Sequence, residues 1–290
     1  MKAFYILLLA LTVVCSASAQ IFNTVDLRYK IGKNDTLRYK TIMNEVDSSL
    51  LKFKLNWGSG MFTDSSEQDT DDVQDFLEEM NEAFADIEMV TELSSAKPGI
   101  VDIVMKTVPN SMAFQDTSGN EFTELLKILQ TSNNGVMLRG SVYEHGSIHS
   151  FWTKTNQKNL IAMMFELPAK PVAVGDTWSI DISFINNDQN YICDSASKTN
   201  QVHLSDIRIE NGETIAVIEY HLQEYVNGTF NSPFEDESIE TMMYFRFNAV
   251  AEFNVDRGYW KSFDGLAGLE TTGYMETYTN KKFALIPLKE

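Results

Sequence analysis

Cysteine is almost absent from this 290-residue sequence, which has only Cys15 and Cys193. Cys15 falls within an apolar N-terminal segment, so Cys193 has no partner for an internal disulfide. A hydrophobic core must therefore provide the stability that disulfides give to many exported domains. We expect Cys193 to be a buried small hydrophobic residue, because no basic residue adjoins it to activate the thiol.

Positive charge is also scarce, with 23 Lys and Arg residues against 41 Asp and Glu residues and a net charge of −18. A protein this acidic repels nucleic-acid phosphates and anionic lipid headgroups, so we expect neither as a partner. Beyond the N-terminus, no run approaches the roughly 18 consecutive apolar residues of a membrane-spanning helix. The sequence therefore predicts no transmembrane segment.

The N-terminus has the pattern of a secretory signal peptide. A positive start at Lys2 is followed by an apolar run over residues 3–14 and by small residues at positions 17–19. This pattern predicts that residues 1–19 are a signal peptide and that the protein is exported to the periplasm or the cell exterior. Lipid attachment at Cys15, with outer-membrane association, is an alternative, although valines stand where lipoprotein signals have a small residue.

Alternation of apolar and polar residues with a period of two dominates the rest of the chain. The longest example extends from Phe245 to Val255, and others begin at Val25, Leu51 and Trp178. Such alternation is typical of antiparallel sheets with one face in water, whereas parallel sheets give continuous apolar runs. The sequence therefore predicts a mainly β (α+β) fold built on a curved antiparallel meander sheet or half-barrel.

Turn and helix signals complete this prediction. Asn211 and Gly212 lie between two β-rich runs and predict a type I′ hairpin turn. Apolar stripes with helical spacing occur at residues 155–167, 118–129 and 71–84. Each stripe is single, as expected for a helix that lies across a sheet, so we expect two or three helices to back the sheet.

We expect residues 20–290 to form a single β-rich domain. A weak internal similarity suggests two related halves, at about residues 20–167 and 168–290. It consists of an Asp-Thr pair that follows a turn and opens a strand, at Asp35 in the first half and at Asp176 in the second. The sequence leaves open whether the halves arose by duplication.

The connection at residues 167–178 has the pattern Leu-Pro-x-Lys-Pro-Val-x-Val-Gly-Asp-x-Trp. With the strand–turn–strand unit at residues 29–39, the middle helix and the closing hairpin at 253–258, it resembles a family of exported Bacteroidota proteins that carry a domain of unknown function. The resemblance implies an envelope-associated, β-rich protein and brings no activity or catalytic residue with it. An unusually acidic loop departs from the family pattern.

That acidic loop is a weak candidate for calcium binding, because hard oxygen ligands in one loop suit this ion. It lacks the glycine and the distal glutamate of the EF-hand pattern, so a solvated loop that caps the following helix is the favoured interpretation. The candidate ligands are Asp64, Glu67, Asp69, Asp71 and Asp72.

Two histidine pairs are candidates for transition-metal ligands. His145 and His149 flank a predicted turn, whereas His203 and His221 lie on the two strands that join at Asn211. A cross-strand pair on a sheet surface explains the second case without a metal, and surface histidines explain the first. The sequence therefore predicts no metal site and no cofactor.

Catalytic motifs are missing from the sequence: no nucleophile elbow and no dinucleotide-binding fingerprint occurs. A hydrolase with an unrecognised carboxylate dyad, for example with Asp181 or Glu219 on a sheet face, remains the least favoured alternative. We predict a non-catalytic extracytoplasmic binding or scaffold protein for an unknown apolar ligand or envelope protein. The alternative is a structural envelope component that binds a partner through the sheet's wet face or its edges.

If the ligand is apolar, the helix over residues 155–167 is the candidate plug, since methionine adapts to varied apolar surfaces. Its apolar side chains are equally well explained as core. The candidate ligand-binding residues are Leu160, Met163, Met164, Phe165 and Leu167.

Overall fold

The computed structural model describes most of the chain beyond the predicted signal peptide. The described residues are 24–46, 52–55, 88–108, 135–151, 155–185, 190–231 and 238–288. The signal peptide with Cys15, the acidic calcium candidates and the two predicted helices at 71–84 and 118–129 lie outside the described residues.

Twelve strands and one helix are defined in the described part of the chain. The strands are β1 (Thr36–Glu45), β2 (Lys52–Leu55), β3 (Met89–Lys97), β4 (Ile100–Thr107), β5 (Val136–Tyr143), β6 (Ile148–Phe151), β7 (Thr177–Trp178), β8 (Tyr191–Glu210), β9 (Glu213–Asn231), β10 (Ser238–Asn254), β11 (Tyr259–Thr272) and β12 (Met275–Pro287). The helix, α1, extends over Thr155–Phe165 between β6 and β7.

All these strands belong to one antiparallel sheet in the order β6-β5-β4-β3-β1-β12-β11-β10-β9-β8-β7, with β2 paired to β12 beside this path. Most neighbours in the sheet are also neighbours in sequence, and β1 joins β12 to unite the two ends of the meander. The end strands β6 and β7 do not pair with each other in the described residues, so the curved sheet is open. The predicted mainly β, antiparallel fold is confirmed, with one described backing helix rather than two or three.

The core lies on one face of this sheet, where alternate residues of the long strands are buried. On β10, Phe247, Ala249, Ala251 and Phe253 point into it, and the exposed Asn248 lies on the other face. Aromatic rings pack edge to face there, which gains energy beyond the burial of their area. The alternation that the sequence shows over β10 is thus the alternation of core and solvent.

The turn between β8 and β9 has the predicted geometry. Asn211 and Gly212 both have positive φ angles, 52° and 84°, and they join Glu210 to its partner Glu213. Type I′ turns need positive φ at both central positions, which asparagine and glycine tolerate. A long two-stranded hairpin follows from this local signal.

The prediction of a strand at Val25–Ile31 is wrong, although its alternation is real. Val25, Leu27 and Tyr29 are buried, but the segment makes only an isolated bridge, from Val25 to Val172. Further along, the backbone N–H of Tyr29 donates to the carbonyl of Glu144 in the β5–β6 turn. The segment therefore packs against the core next to the turns that connect strands. Its apolar side chains are buried, although its backbone does not pair with a strand.

The two Asp-Thr turns have matching local geometry. The N–H of Asp35 donates to the carbonyl of Gly32, and the N–H of Asp176 donates to that of Ala173. The residue before each aspartate has a positive φ, 83° at Asn34 and 90° at the glycine before Asp176, and a strand follows each turn. This local match does not test a duplication of the halves.

Cys193 is exposed on β8, so its predicted burial is wrong. It adjoins a register shift between Cys193 and Ser195, and the β8 side chains around it face solvent. Among the described residues, no helix has both the length and the apolar character needed to span a membrane.

Candidate functional site

The most distinctive segment of the structure is the stretch of residues 179–185 that follows β7, here called the strap. The sequence predicts that it continues a strand from Trp178, but it is not a strand, and it lies on the face of β8 and β9 from which Asn200 and Glu224 project. Two asparagines replace strand partners. The amide of Asn200 binds both the N–H and the carbonyl of Ile180, at 3.1 and 2.7 Å, and the amide of Asn159 binds both groups of Ser183, at 3.0 and 2.6 Å.

Glu224 on β9 holds the end of the strap. One of its carboxylate oxygens, Oε2, accepts hydrogen bonds from the backbone N–H groups of Phe184 and Ile185 at 2.8 and 2.9 Å. The other, Oε1, lies 2.6 Å from Nζ of Lys198 on β8, which also donates to the carbonyl of Ile182 at 2.7 Å. The Glu224 side chain is only 8% exposed, so charge-assisted hydrogen bonds offset the cost of burying its carboxylate.

A cavity of about 310 Å³ opens where the strap meets β8 and β9. Its walls contain Ser183, Ile185, Ala196, Lys198, Glu224 and Val226. This volume lies at the lower end of the range of roughly 300–1,000 Å³ that is usual for small-molecule sites, and such sites combine apolar walls with a few polar groups. The arrangement can accept a small molecule that has both an apolar and a polar part.

The predicted ligand-binding residues of α1 lie elsewhere. Met163, Met164, Phe165 and Leu167 are buried in the core, and Leu160 packs partly exposed against it. None of these five side chains lines the cavity beside the strap. The apolar stripe of α1 is covered by the sheet, so its methionines are part of the core.

The carboxylates considered for a hydrolytic dyad are separated. Asp181 is exposed on the strap and forms an ion pair with Lys158 of α1 at 2.6 Å. Glu219 lies on β9 at odd spacing from Glu224, so the side chains of these two glutamates occupy opposite faces of the sheet. The strap, which contains Asp181, is bound on the face of Glu224. Asp181 and Glu219 are therefore not brought together.

A third carboxylate, Glu166, has a perturbed pKa. Burial at the end of α1 raises the pKa of Glu166 to about 7, and the nearby carboxylate of Asp181 adds to the rise. The backbone N–H of Asp181, which donates to Glu166 Oε2 at 2.8 Å, and the charge of Lys158 act in the opposite direction. Glu166 thus links the C-terminal end of α1 to the strap.

The first histidine pair lies around the β5–β6 turn. The ring of Tyr143 stacks with His145 at 5.3 Å between centroids and meets His149 edge to face at 5.0 Å. Ser147 and Ser141 each lie within hydrogen-bonding distance of one imidazole Nδ1. Within the described residues, neither histidine belongs to a group of three metal-ligating side chains.

The second pair, His203 and His221, is brought together as predicted. Their rings are stacked with centroids 6.4 Å apart on the outer face of β8 and β9. Glu219 joins them, so that ligand atoms from all three side chains lie within 4.8 Å of one another. From the sequence, Glu219 was a candidate only for a carboxylate dyad, so its place beside the two histidines was not predicted.

The Lys198–Glu224 pair was also missed, although the sequence contains a signal for Glu224. Alternate residues of β9 are buried, and Glu224 is the charged residue in this series. The other members are Ile218, Tyr220, Leu222 and Val226. A charged side chain among buried apolar residues requires a partner of opposite charge or hydrogen-bond donors. The position of that partner, Lys198, depends on strand register.

No family model, curated protein or solved structure matches this chain. The resemblance of residues 167–178 to the exported Bacteroidota family therefore stays a prediction.

Proposed function

We propose that this protein is a non-catalytic exported binding protein that holds a small amphipathic molecule in the cavity beside the strap. The observation that carries the proposal is the ion pair between the partly exposed Lys198 and the buried Glu224, in the wall of a cavity of about 310 Å³ that combines aliphatic and polar side chains. The predicted signal peptide and the resemblance to an exported family support a place in the periplasm, in the cell envelope or outside the cell.

The polarity of the cavity suggests the class of ligand. Glu224 uses both carboxylate oxygens for the strap and Lys198, whereas the Lys198 side chain is 44% exposed and has donor capacity left for a ligand. An acceptor on the ligand would bind the ammonium group of Lys198, and its apolar part would cover Ile185 and Val226. This pattern fits an amphipathic molecule with a neutral or anionic polar end.

Anilinonaphthalene sulfonate is a suitable probe, because it combines an anionic group with an apolar ring system. Ala196 lines the cavity but exposes its side chain, so Ala196→Phe should fill the space with little cost to folding. We expect the wild-type protein to bind the probe with a rise in fluorescence, and the A196F variant to bind it about tenfold more weakly or worse.

Ser195→Phe is the matched control, since Ser195 neighbours Ala196 and does not line the cavity. It should bind the probe as the wild-type protein does. Urea unfolding of all three proteins ensures that the comparison is between folded states. Equal affinity of the A196F and wild-type proteins, or no wild-type binding, would contradict the proposal.

A second candidate, a structural envelope component that binds a protein partner, is favoured by the edge of β8. In the described part of the chain, the side of β8 away from β9 pairs with β7 only at Val202 and His203, and residues 191–200 have no strand on that side. Such an edge can accept an added strand. Native mass spectrometry of protein purified from its host separates the candidates: a bound small molecule supports the first, and a stoichiometric protein partner on an otherwise ligand-free chain supports the second.

A further inference from the structure

The outer face of β8 and β9, opposite the cavity, contains a group of metal-ligating side chains. His203 lies directly across from Glu219 in the ladder, and His221 is the next outward residue of β9 after Glu219. The side chains of His203 and Glu219 are 30% and 37% exposed, and His221 is exposed. An ion could therefore reach all three from solvent.

A register shift creates this group. The turn pairs Glu210 with Glu213, and continuous pairing from there would place His203 opposite Tyr220, whose side chain is buried. The shift between Leu204 and Asp206 moves the pairing by one residue. A one-residue shift exchanges the faces of a strand, so it places His203 on the outer face beside Glu219.

The distances suit an ion after a small adjustment. Nε2 of His203 lies 4.0 Å from Oε2 of Glu219, and the ligand atoms of the three residues lie within 4.8 Å of one another. Ligands of a tetrahedral zinc ion at about 2.1 Å from the metal are roughly 3.4 Å apart. Side-chain rotations of about 1 Å at the ligand atoms close the difference, while the ladder keeps the backbones fixed.

The orientation of His221 is already set by a neighbour. Its Nδ1 lies 3.0 Å from Oδ1 of Asn248 on β10, so the amide oxygen accepts the Nδ1 proton. This hydrogen bond leaves Nε2 with the lone pair that a metal needs. A carbonyl partner on the second ring nitrogen is the usual companion of a metal-bound histidine.

We propose that His203, Glu219 and His221 bind one divalent transition-metal ion on the outer face of the sheet. Two imidazoles and one carboxylate suit zinc, copper or nickel better than calcium, which prefers six or more oxygen ligands. Three protein ligands leave a further position for water or another ligand. The net charge of −18 favours the approach of cations to this surface.

Isothermal titration of the full chain with zinc chloride at neutral pH tests the proposal. We expect one zinc ion per chain, and we expect the variants His203→Gln, Glu219→Gln and His221→Gln each to bind it at least about tenfold more weakly. His149→Gln is the matched control, because it removes an exposed histidine from the β6 strand, away from β8 and β9. It should titrate as the wild-type protein does.

Asn248→Ala provides a second test, because it removes the orienting partner but no ligand. We expect this variant to retain the stoichiometry and to lose about tenfold in zinc affinity. Circular dichroism before titration confirms that each variant is folded. No heat from the wild-type protein at about 1 mM zinc, or unchanged affinity in both histidine variants, would overturn the proposal.

Discussion

The amide of Asn159 on α1 binds the backbone of Ser183 as a neighbouring strand would. Its Nδ2 donates to the Ser183 carbonyl at 2.6 Å, and its Oδ1 accepts from the Ser183 N–H at 3.0 Å. Asn159 is only 4% exposed, so water is not a ready substitute for either bond. One side chain thus satisfies a backbone segment that no ladder reaches and fixes the strap to α1.

We expect Asn159→Asp to destabilise the protein by about 2–3 kcal/mol. The substitution keeps the shape but replaces a donor with a carboxylate oxygen, which faces the Ser183 carbonyl in a buried place. Urea unfolding measures the change. Asn211→Asp is the control, because Asn211 is in an exposed turn where aspartate is tolerated, and its effect should stay within about 0.5 kcal/mol. Similar stabilities of the two variants would refute the anchoring role of Asn159.

Glu166 should make stability depend on pH in a specific direction. Its pKa is about 7 in the folded protein, against 4.5 as the ordinary value, so the folded state binds the proton more tightly. The stabilisation is therefore complete below about pH 4.5 and is lost as the pH rises through 7. Because the side chain is partly exposed, we expect a loss of about 1–2 kcal/mol relative to a variant without this carboxyl group.

Glu166→Gln is that variant, since glutamine keeps an acceptor for the Asp181 N–H but does not titrate. The measurement is the difference in free energy of unfolding between wild type and E166Q at several pH values. This difference should fall as the pH rises from 4.5 to 7. A constant difference across that range would show that Glu166 titrates normally.

The close approach of α1 to the sheet depends on Gly140 of β5. A methyl group there would clash with Cδ1 of Ile161 on α1 and would lie 2.9 Å from the carbonyl oxygen of Ser150. Ile161 is fully buried, so its side chain can move only against its neighbours in the core. We expect Gly140→Ala to cost about 1–3 kcal/mol in thermal or urea unfolding.

Gly268→Ala is the control for this prediction. Gly268 also lies within a strand, but the nearest atom to an added methyl group belongs to the flexible side chain of Arg246. That side chain can move, so the cost should be within about 0.5 kcal/mol. If Gly140→Ala were equally mild, α1 would not be packed as tightly against β5 as the structure shows.

The sequence anticipated much of the architecture because its signals are local. Alternation gave the strand content and the antiparallel arrangement, and the Asn211-Gly212 pair gave the turn between β8 and β9. Helical spacing and the proline after Leu167 gave α1. These signals need only the period of side-chain direction and the backbone preferences of single residues.

The strap and the Val25–Ile31 segment mark the limit of such signals. Alternation predicts which side chains are buried, but it does not predict which groups form hydrogen bonds with the backbone N–H and carbonyl groups. In the strap, Asn159, Asn200 and Glu224 supply those hydrogen bonds from other elements, so an alternating segment is ordered without joining the sheet. The cavity beside Lys198 and Glu224 exists because of this arrangement.

By itself, the sequence determined a mainly antiparallel β protein with a helix on its buried face, because side-chain periodicity is a property of each segment alone. The tertiary structure decided which distant side chains meet. A register shift of one residue, between Leu204 and Asp206, sets His203 beside Glu219 instead of opposite Tyr220. Strand register depends on the pairing of whole strands, and a one-residue change in it exchanges the two faces of the sheet.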